Sequence, residues 1–309
     1  MRWATYQSSG EHRVGLVDGT VIRAVRGASR LIDLLGDDGE QLAAAADQAR
    51  ANPFEVVDVD AVALLAPIPV PPSIRDFMAF EEHIRNTRKR TGDIVDRGWY
   101  DTPVFYFTNP AAVHPPATDI AISPGSVKFD YELEIAAIVG REGHDLAPAD
   151  AENHIAGYTV LCDWSARDLQ REEMRQRLGP AKGKDSATSL GPFLVTPDEL
   201  EPYRAGNGFD LSMTASVNGI TCSAGNWSAI YWSFAEMLAY ASRGTRLVPG
   251  DVFGSGTVGR GCLLELSTLY GEDAYPWLQP GDEVALHVEI LGTITGRITA
   301  GADPIPLRS

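Results

Sequence analysis

Residues 129–140 read Phe-Asp-Tyr-Glu-Leu-Glu-Ile-Ala-Ala-Ile-Val-Gly. The run is apolar almost throughout and reads as a β-strand with two carboxylates set inside it. Side chains of a strand alternate between faces, so Glu132 and Glu134 share one face while Leu133 and Ile135 take the other. Like charges side by side on a sheet repel and are costly to bury. A divalent cation removes that cost, and hard cations take carboxylate oxygen. The alternative is a solvated strand face carrying two exposed acids. Apolar residues in both phases argue against it, because a strand covered on both faces should not hold two unpaired acids.

Composition narrows the setting of this strand. At 309 residues the chain is long enough for one large domain with an appendage, or for two domains. A hydrophobic fraction of 44% with 22% charged residues is that of a water-soluble globular protein. No apolar run is long enough to span a bilayer, and the start of the chain lacks the basic-then-apolar pattern of a signal peptide. The expected compartment is therefore the cytoplasm. Cys162, Cys222 and Cys262 are far apart and form no CxxC pair, which suggests neither a zinc site nor a disulfide framework. A net charge of -16 argues against nucleic acid and against anionic membranes as partners. An anionic small molecule stays compatible, because a local group of cations can outweigh the global field.

Upstream of the strand, "RWATYQ", "HRVGLVDG" and "TVIRAV" are short β runs, with Asp18-Gly19 as a hairpin signal. An Ala-rich helix follows and ends at Asn52-Pro53. Pro67, Pro69, Pro71 and Pro72 then set an extended linker, so residues 1–65 are expected to form a small N-terminal α+β unit and residues 66–309 the main domain. Residues 75–91, "RDFMAFEEHIRNTRKRT", carry helical periodicity through Phe77, Phe80 and Ile84. On such a helix Asp76 and His83, seven residues apart, look from one face into the same cleft. An ordinary surface histidine is the plainer reading of His83 taken alone. "GDIVDRGWYD" reads as a mobile loop.

Downstream, "HIAGYTVLCD" is a strand that places Asp163 at its end, facing a pocket. "SARDLQREEMRQRL" is an amphipathic helix with Ser165 as its N-cap and Asp168 as a capping acid. "GPAKGKD" lacks the GxxxxGK[ST] pattern of a phosphate loop. "DLSMTASVNG", "GCLLELSTL" and "DEVALHVEILGTITGRI" read as strands, interrupted by the helix "SAIYWSFAEMLAYASRG". In "FGSGTVG" glycine-rich backbone can approach a ligand closely. Many strands and few helices make the fold mainly β with some α, of sandwich or roll type.

"RDFMAFEEH", "FDYELEIAAIVGR", "GYTVLCDWSARDLQ", "LGPAKGKD", "SLGPFLVT", "LVPGDVFGSGT" and "LLELS" stand in this order between about residues 66 and 298. In that combination the chain resembles the fumarylacetoacetate hydrolase family, with "YELE" and "DWSARDLQ" the strongest pair. The resemblance implies that family's mixed β-sandwich roll with a small N-terminal β-rich domain. It implies a divalent ion, Mg²⁺ or Ca²⁺ with Mn²⁺ as a third option, held by Glu132, Glu134, Asp163 and Asp76. It implies His83 as catalytic base, with Glu265, in a strand after the Ser-Gly-Thr turn, as its partner. On the substrate side it implies Gln170, Lys184, Tyr106 and Thr257. An Arg soon after the His is also implied; Arg85, Arg88 and Arg90 are candidates, with Arg90 taken. Asp185 stands after Lys184 where the family usually has a small hydroxyl residue. Homodimerisation is the family's habit.

The chemistry implied is hydrolysis of a carbon–carbon bond in a β-diketo acid, of fumarylacetoacetate or acylpyruvate type, as met in the breakdown of aromatic compounds. Water must be activated, a carbonyl polarised and a departing carbanion stabilised as an enolate. His83 serves the first need, Glu265 orients it, the ion serves the last, and Lys184 with Gln170 and one Arg holds the substrate anion. Decarboxylation, isomerisation or hydration of a 2-oxo acid through the same enolate is the alternative. A non-catalytic, metal-bound β domain that binds a small ligand is the reading from another class.

Overall fold

The computed structural model describes residues 1–89, 92 and 94–308. Arg90, taken above as a substrate contact, lies outside the described residues. The decisive stretch forms a two-residue strand, Phe129–Asp130, followed by the strand Leu133–Val139. The latter is buried along its whole length and sits inside a twelve-stranded sheet. It pairs antiparallel with Ile155–Asp163 on one side and with Val252–Gly254 on the other. Beyond these lie Thr188–Val195 towards one edge, and Ile74–Phe77 then Phe105–Thr108 at the other.

The two faces of Leu133–Val139 meet different cores, as period two requires. Leu133, Ile135, Ala137 and Val139 enter the larger core, which also takes Trp164, Met213, Leu286 and Ile294. That core is closed by a five-stranded sheet in the order Ile220–Asn226, Ser212–Val217, Glu283–Val288, Gly292–Thr299, Ala117–Ala121. Ala136 and Ile138 point the other way, into a second core with Trp3, Val14, Leu42 and Ala46. Residues 1–65 supply half of the buried residues of that second core. Their strand Arg2–Ser8 is hydrogen-bonded to Thr188–Val195, so they extend the same sheet. The proline-rich stretch 66–73 has neither helix nor strand. Glu132 and Glu134 are in phase with Ala136 and Ile138, but they lie nearer the start of the strand, beyond the cover of the second core.

Four local expectations are corrected. Residues 75–91 are not one helix: Ile74–Phe77 is a strand, and the helix runs only over Glu81–Arg88. The strand forms because Val252–Gly254 offers it a parallel ladder, with Asp76 opposite both Gly254 and Tyr106. "LLELS" is not a strand but the start of the helix Leu263–Tyr270. Asp130 dictates that outcome from far away in sequence: its carboxylate accepts from Leu263 N–H at 2.7 Å and Leu264 N–H at 3.0 Å, filling the role of a helix cap. "GDIVDRGWYD" holds a short helix, Arg97–Asp101, capped by Asp96. Finally, Ser165 lies in a two-residue strand, and the helix Arg167–Arg175 begins after Ala166. Asp168 instead holds the turn at Ser126 and Val127. Among the described residues no helix is long and apolar enough to cross a membrane.

Candidate active site

Ile74–Phe77, Leu133–Val139 and Ile155–Asp163 run through one sheet, and together with the residue just before the second of them they deliver Asp76, Glu132, Glu134 and Asp163 to one place. One ligand atom from each of the four lies within 4.8 Å of the others. All four are buried. Asp76, Glu132 and Glu134 border a cavity of about 540 Å³ whose wall includes His83, Gln170, Lys184 and Thr257. Tyr106 lines it too.

The cluster's oxygens are divided between protein donors and unfilled positions. Gly256 N–H donates to Glu134 Oε2 at 3.0 Å and to Asp76 Oδ1 at 3.2 Å. Tyr106 O–H reaches Asp163 Oδ2 at 2.5 Å and Asp76 Oδ2 at 3.1 Å. Lys184 Nζ bonds Asp163 Oδ2 at 2.5 Å and also Glu132 Oε2. Glu132 Oε1 accepts from Arg167 Nη2 at 2.7 Å. Glu134 Oε1 and Asp163 Oδ1 remain buried with no hydrogen-bond partner among the described residues. Leaving such atoms bare is costly. The glycines keep the carboxylates close: a Cβ at Gly254 would stand 2.3 Å from Asp76 Oδ1. The "FGSGTVG" backbone therefore approaches the acids themselves, with Gly256 in the left-handed region at φ 75°.

Electrostatics follow from this arrangement. Burial, then the charges of Asp76 and Glu132, push the Glu134 carboxyl well above the usual carboxylate range. Burial raises Asp163 to about 7 even though Lys184 opposes it. Burial likewise raises Asp76. Glu132 alone moves down: burial opposes its charge, but Arg167 and then Lys184 outweigh burial. Three raised acids and two bare oxygens describe a site short of positive charge. The residues present therefore fit a hard divalent cation, which takes carboxylate oxygen and compensates like charges.

Beside the cluster stands a second unit. His83 Nδ1 meets Glu265 Oε1 at 2.6 Å. Glu265 is fully buried at the first turn of its helix. Its other oxygen accepts from Asn86 Nδ2 and from Arg260 N–H, each at 2.9 Å. Burial alone would lower the His83 pKa; the Glu265 carboxylate outweighs it and holds the imidazole above its usual 6.5. Asp76 and His83 do share the cleft, but through a strand and a helix rather than one helical face.

Sequence reasoning missed Arg167, Asp130 and Asn86. Arg167 is buried, bonds Asp130 Oδ2 through Nε at 2.8 Å, and touches Gln170 Oε1 at 3.2 Å. It stands within "SARDLQ", yet nothing local signals that an arginine on an exposed amphipathic helix turns inward. Thr257 is among the residues that line the cavity.

Comparison with known proteins agrees with this geometry. A family model described as the C-terminal part of fumarylacetoacetate (FAA) hydrolase matches residues 73–299. The chain is 31% identical over 268 residues to a fumarylacetoacetase of Oryza sativa subsp. japonica; the match takes in 68% of this chain and 62% of that protein, under two thirds of its length. It is 26% identical over 263 residues to a mitochondrial oxaloacetate tautomerase of Homo sapiens, covering 85% and 77% of the two. Among solved structures it is similar to a fumarylacetoacetate hydrolase from the psychrophile Exiguobacterium antarcticum, with a TM-score of 0.75 at 25% identity over 97% of this chain and 99% of that one. A sheet that gathers four acids beside a His–Glu pair, and a family match spanning most of its length, lead to one conclusion: the chain belongs to the fumarylacetoacetate hydrolase family.

Proposed function

We propose that the protein is a divalent-ion-dependent hydrolase that splits a carbon–carbon bond in a β-diketo acid of acylpyruvate or fumarylacetoacetate type. The observation that carries this reading is the 2.6 Å His83–Glu265 contact at the wall of the cavity that holds the acid cluster. An activated water is what hydrolysis needs and a simple enolisation does not. With Nδ1 engaged by Glu265, His83 has Nε2 for a water proton. Glu265 fixes the ring and stabilises the imidazolium that forms. The hydroxyl goes to the acyl carbon, the bond from that carbon to the methylene breaks, and the methylene carbon takes the proton that His83 removed from water, so a carboxylic acid leaves together with a 2-oxo acid from an acylpyruvate or a 3-oxo acid from the fumarylacetoacetate type. Held by Asp76, Glu132, Glu134 and Asp163, a divalent ion would supply Lewis-acid polarisation of the two carbonyls and a counter-charge to the departing carbanion. Gln170 Oε1 is taken by Arg167, which leaves its amide N–H₂ for the substrate anion. Lys184 brings a buried positive charge to a site that four carboxylates would otherwise make repellent to anions.

Tautomerisation or decarboxylation of a 2-oxo acid is the second reading, favoured by the likeness to the human oxaloacetate tautomerase. Product analysis separates them. With Mg²⁺ and a panel of acylpyruvates, hydrolysis yields two acids per diketone consumed. Diketone loss without a second acid, or turnover confined to oxaloacetate, would remove the hydrolase reading.

The raised His83 sets the pH dependence. The base must be neutral, and its pKa lies above 6.5, so kcat/KM should rise with pH through a limb centred above that value. Glu265→Gln removes the charge that holds the imidazolium and leaves burial, which lowers the pKa. The limb should therefore move to lower pH, with a smaller plateau. An acid limb at the same pH in both proteins would show that His83 is not the titrating base.

A further inference from the structure

We infer that Glu173 is a positioning residue for Lys184, holding the loop that carries it against the helix Arg167–Arg175; this rests on the assignment of Lys184 to the site. Three successive peptide groups converge on the Glu173 carboxylate. Ala181 N–H and Gly183 N–H each donate to Oε2 at 3.0 Å, and Lys182 N–H donates to Oε1 at 2.6 Å. A run of N–H groups around one anion is a nest, and charge-assisted bonds of this kind are the strong ones. The next residue is Lys184, whose buried ammonium lies on Glu132 and Asp163.

The same loop is pressed onto the helix one turn earlier. A Cβ at Gly183 would stand 2.6 Å from Gln170 Cα, and Gly183 C=O accepts from Ala166 N–H at 2.8 Å. Gln170 and Glu173, one turn apart, thus grip the loop from a single helical face. The arrangement places the Gln170 amide and the Lys184 ammonium on one rigid unit. Without Glu173, three N–H groups lose their acceptor and the chain before Lys184 loses most of its ties to the helix. The side chain of Lys182 is exposed and paired with Asp185, and only its peptide N–H belongs to the nest.

A double-mutant cycle tests this on the full chain with Mg²⁺. Glu173→Ala should lower acylpyruvate kcat/KM about tenfold or more, and weaken the binding of oxalate, measured by calorimetry, by a similar factor. In a Lys184→Met background the same change should cost less than twofold in both. Lys182→Ala, which keeps its peptide N–H, should leave both unchanged. Equal losses in the two backgrounds, or none in either, would overturn the proposal. Should Glu173→Ala fail to fold, Glu173→Gln enters the same cycle, because its amide keeps one acceptor but turns N–H₂ towards the nest. Oxalate binding reads Lys184 whatever the reaction, so absence of hydrolysis with a persisting cycle in oxalate affinity would fault the hydrolase reading and leave Glu173 in its role.

Discussion

His83→Ala is expected to lower kcat by roughly 10²–10⁴-fold, the range for loss of a positioned general base, with little change in KM. The reason is geometric. The imidazole binds no other part of the site through Nδ1 than Glu265, and the four acids keep their contacts without it. The fold should persist, since Glu265 retains Asn86 and the Arg260 N–H as donors. Steady-state kinetics with a thermal melt of the variant check both halves. Activity within twofold of the parent in a folded variant would remove His83 from the mechanism.

Glu134→Gln is expected to abolish the stabilisation of the protein by divalent ions, and turnover with it. In the parent, an ion at a hundredfold excess over its dissociation constant should add about 2.7 kcal/mol to stability, visible as a rise of several degrees in Tm. In the variant the amide oxygen keeps the position that accepts from Gly256 N–H, and the bare Oε1 becomes an N–H₂ that cannot bind a cation. In the absence of ions it should melt no lower than the parent. Burial and the neighbouring charges of Asp76 and Glu132 already disfavour the Glu134 anion, so a neutral isostere relieves repulsion. Thermal melts with and without Mg²⁺ give the answer. An undiminished Mg²⁺-dependent rise in the variant would place the ion elsewhere.

The parts of the site legible in the residues were those where alternation and chemistry coincide on one strand. Glu132 and Glu134 are two such positions: their placement inside an apolar run raises the question of a metal, and the family resemblance answers it by adding Asp163 and Asp76. Asp163 was legible as an acid at a strand end. His83 was legible only through its motif, because a lone histidine on a helix says little. Glu265 was located but given the wrong element, since five residues of "LLELS" are too few to separate a period of two from one of 3.6. The strand through Asp76 was missed because its hydrogen-bond partners come from residues 252–254.

What the chain's own order of residues determined is the alternation of the central strand, the acids within it, and the glycines that let backbone come close to them. Local sterics and hydrophobic period act over a few residues, so they can be read from a few residues. Only the tertiary structure decided that Asp130 caps the Glu265 helix, that Arg167 turns inward, and that Glu173 ties down the Lys184 loop. Each of these depends on a donor meeting an acceptor brought in by the fold, and burial is what makes the pairing compulsory.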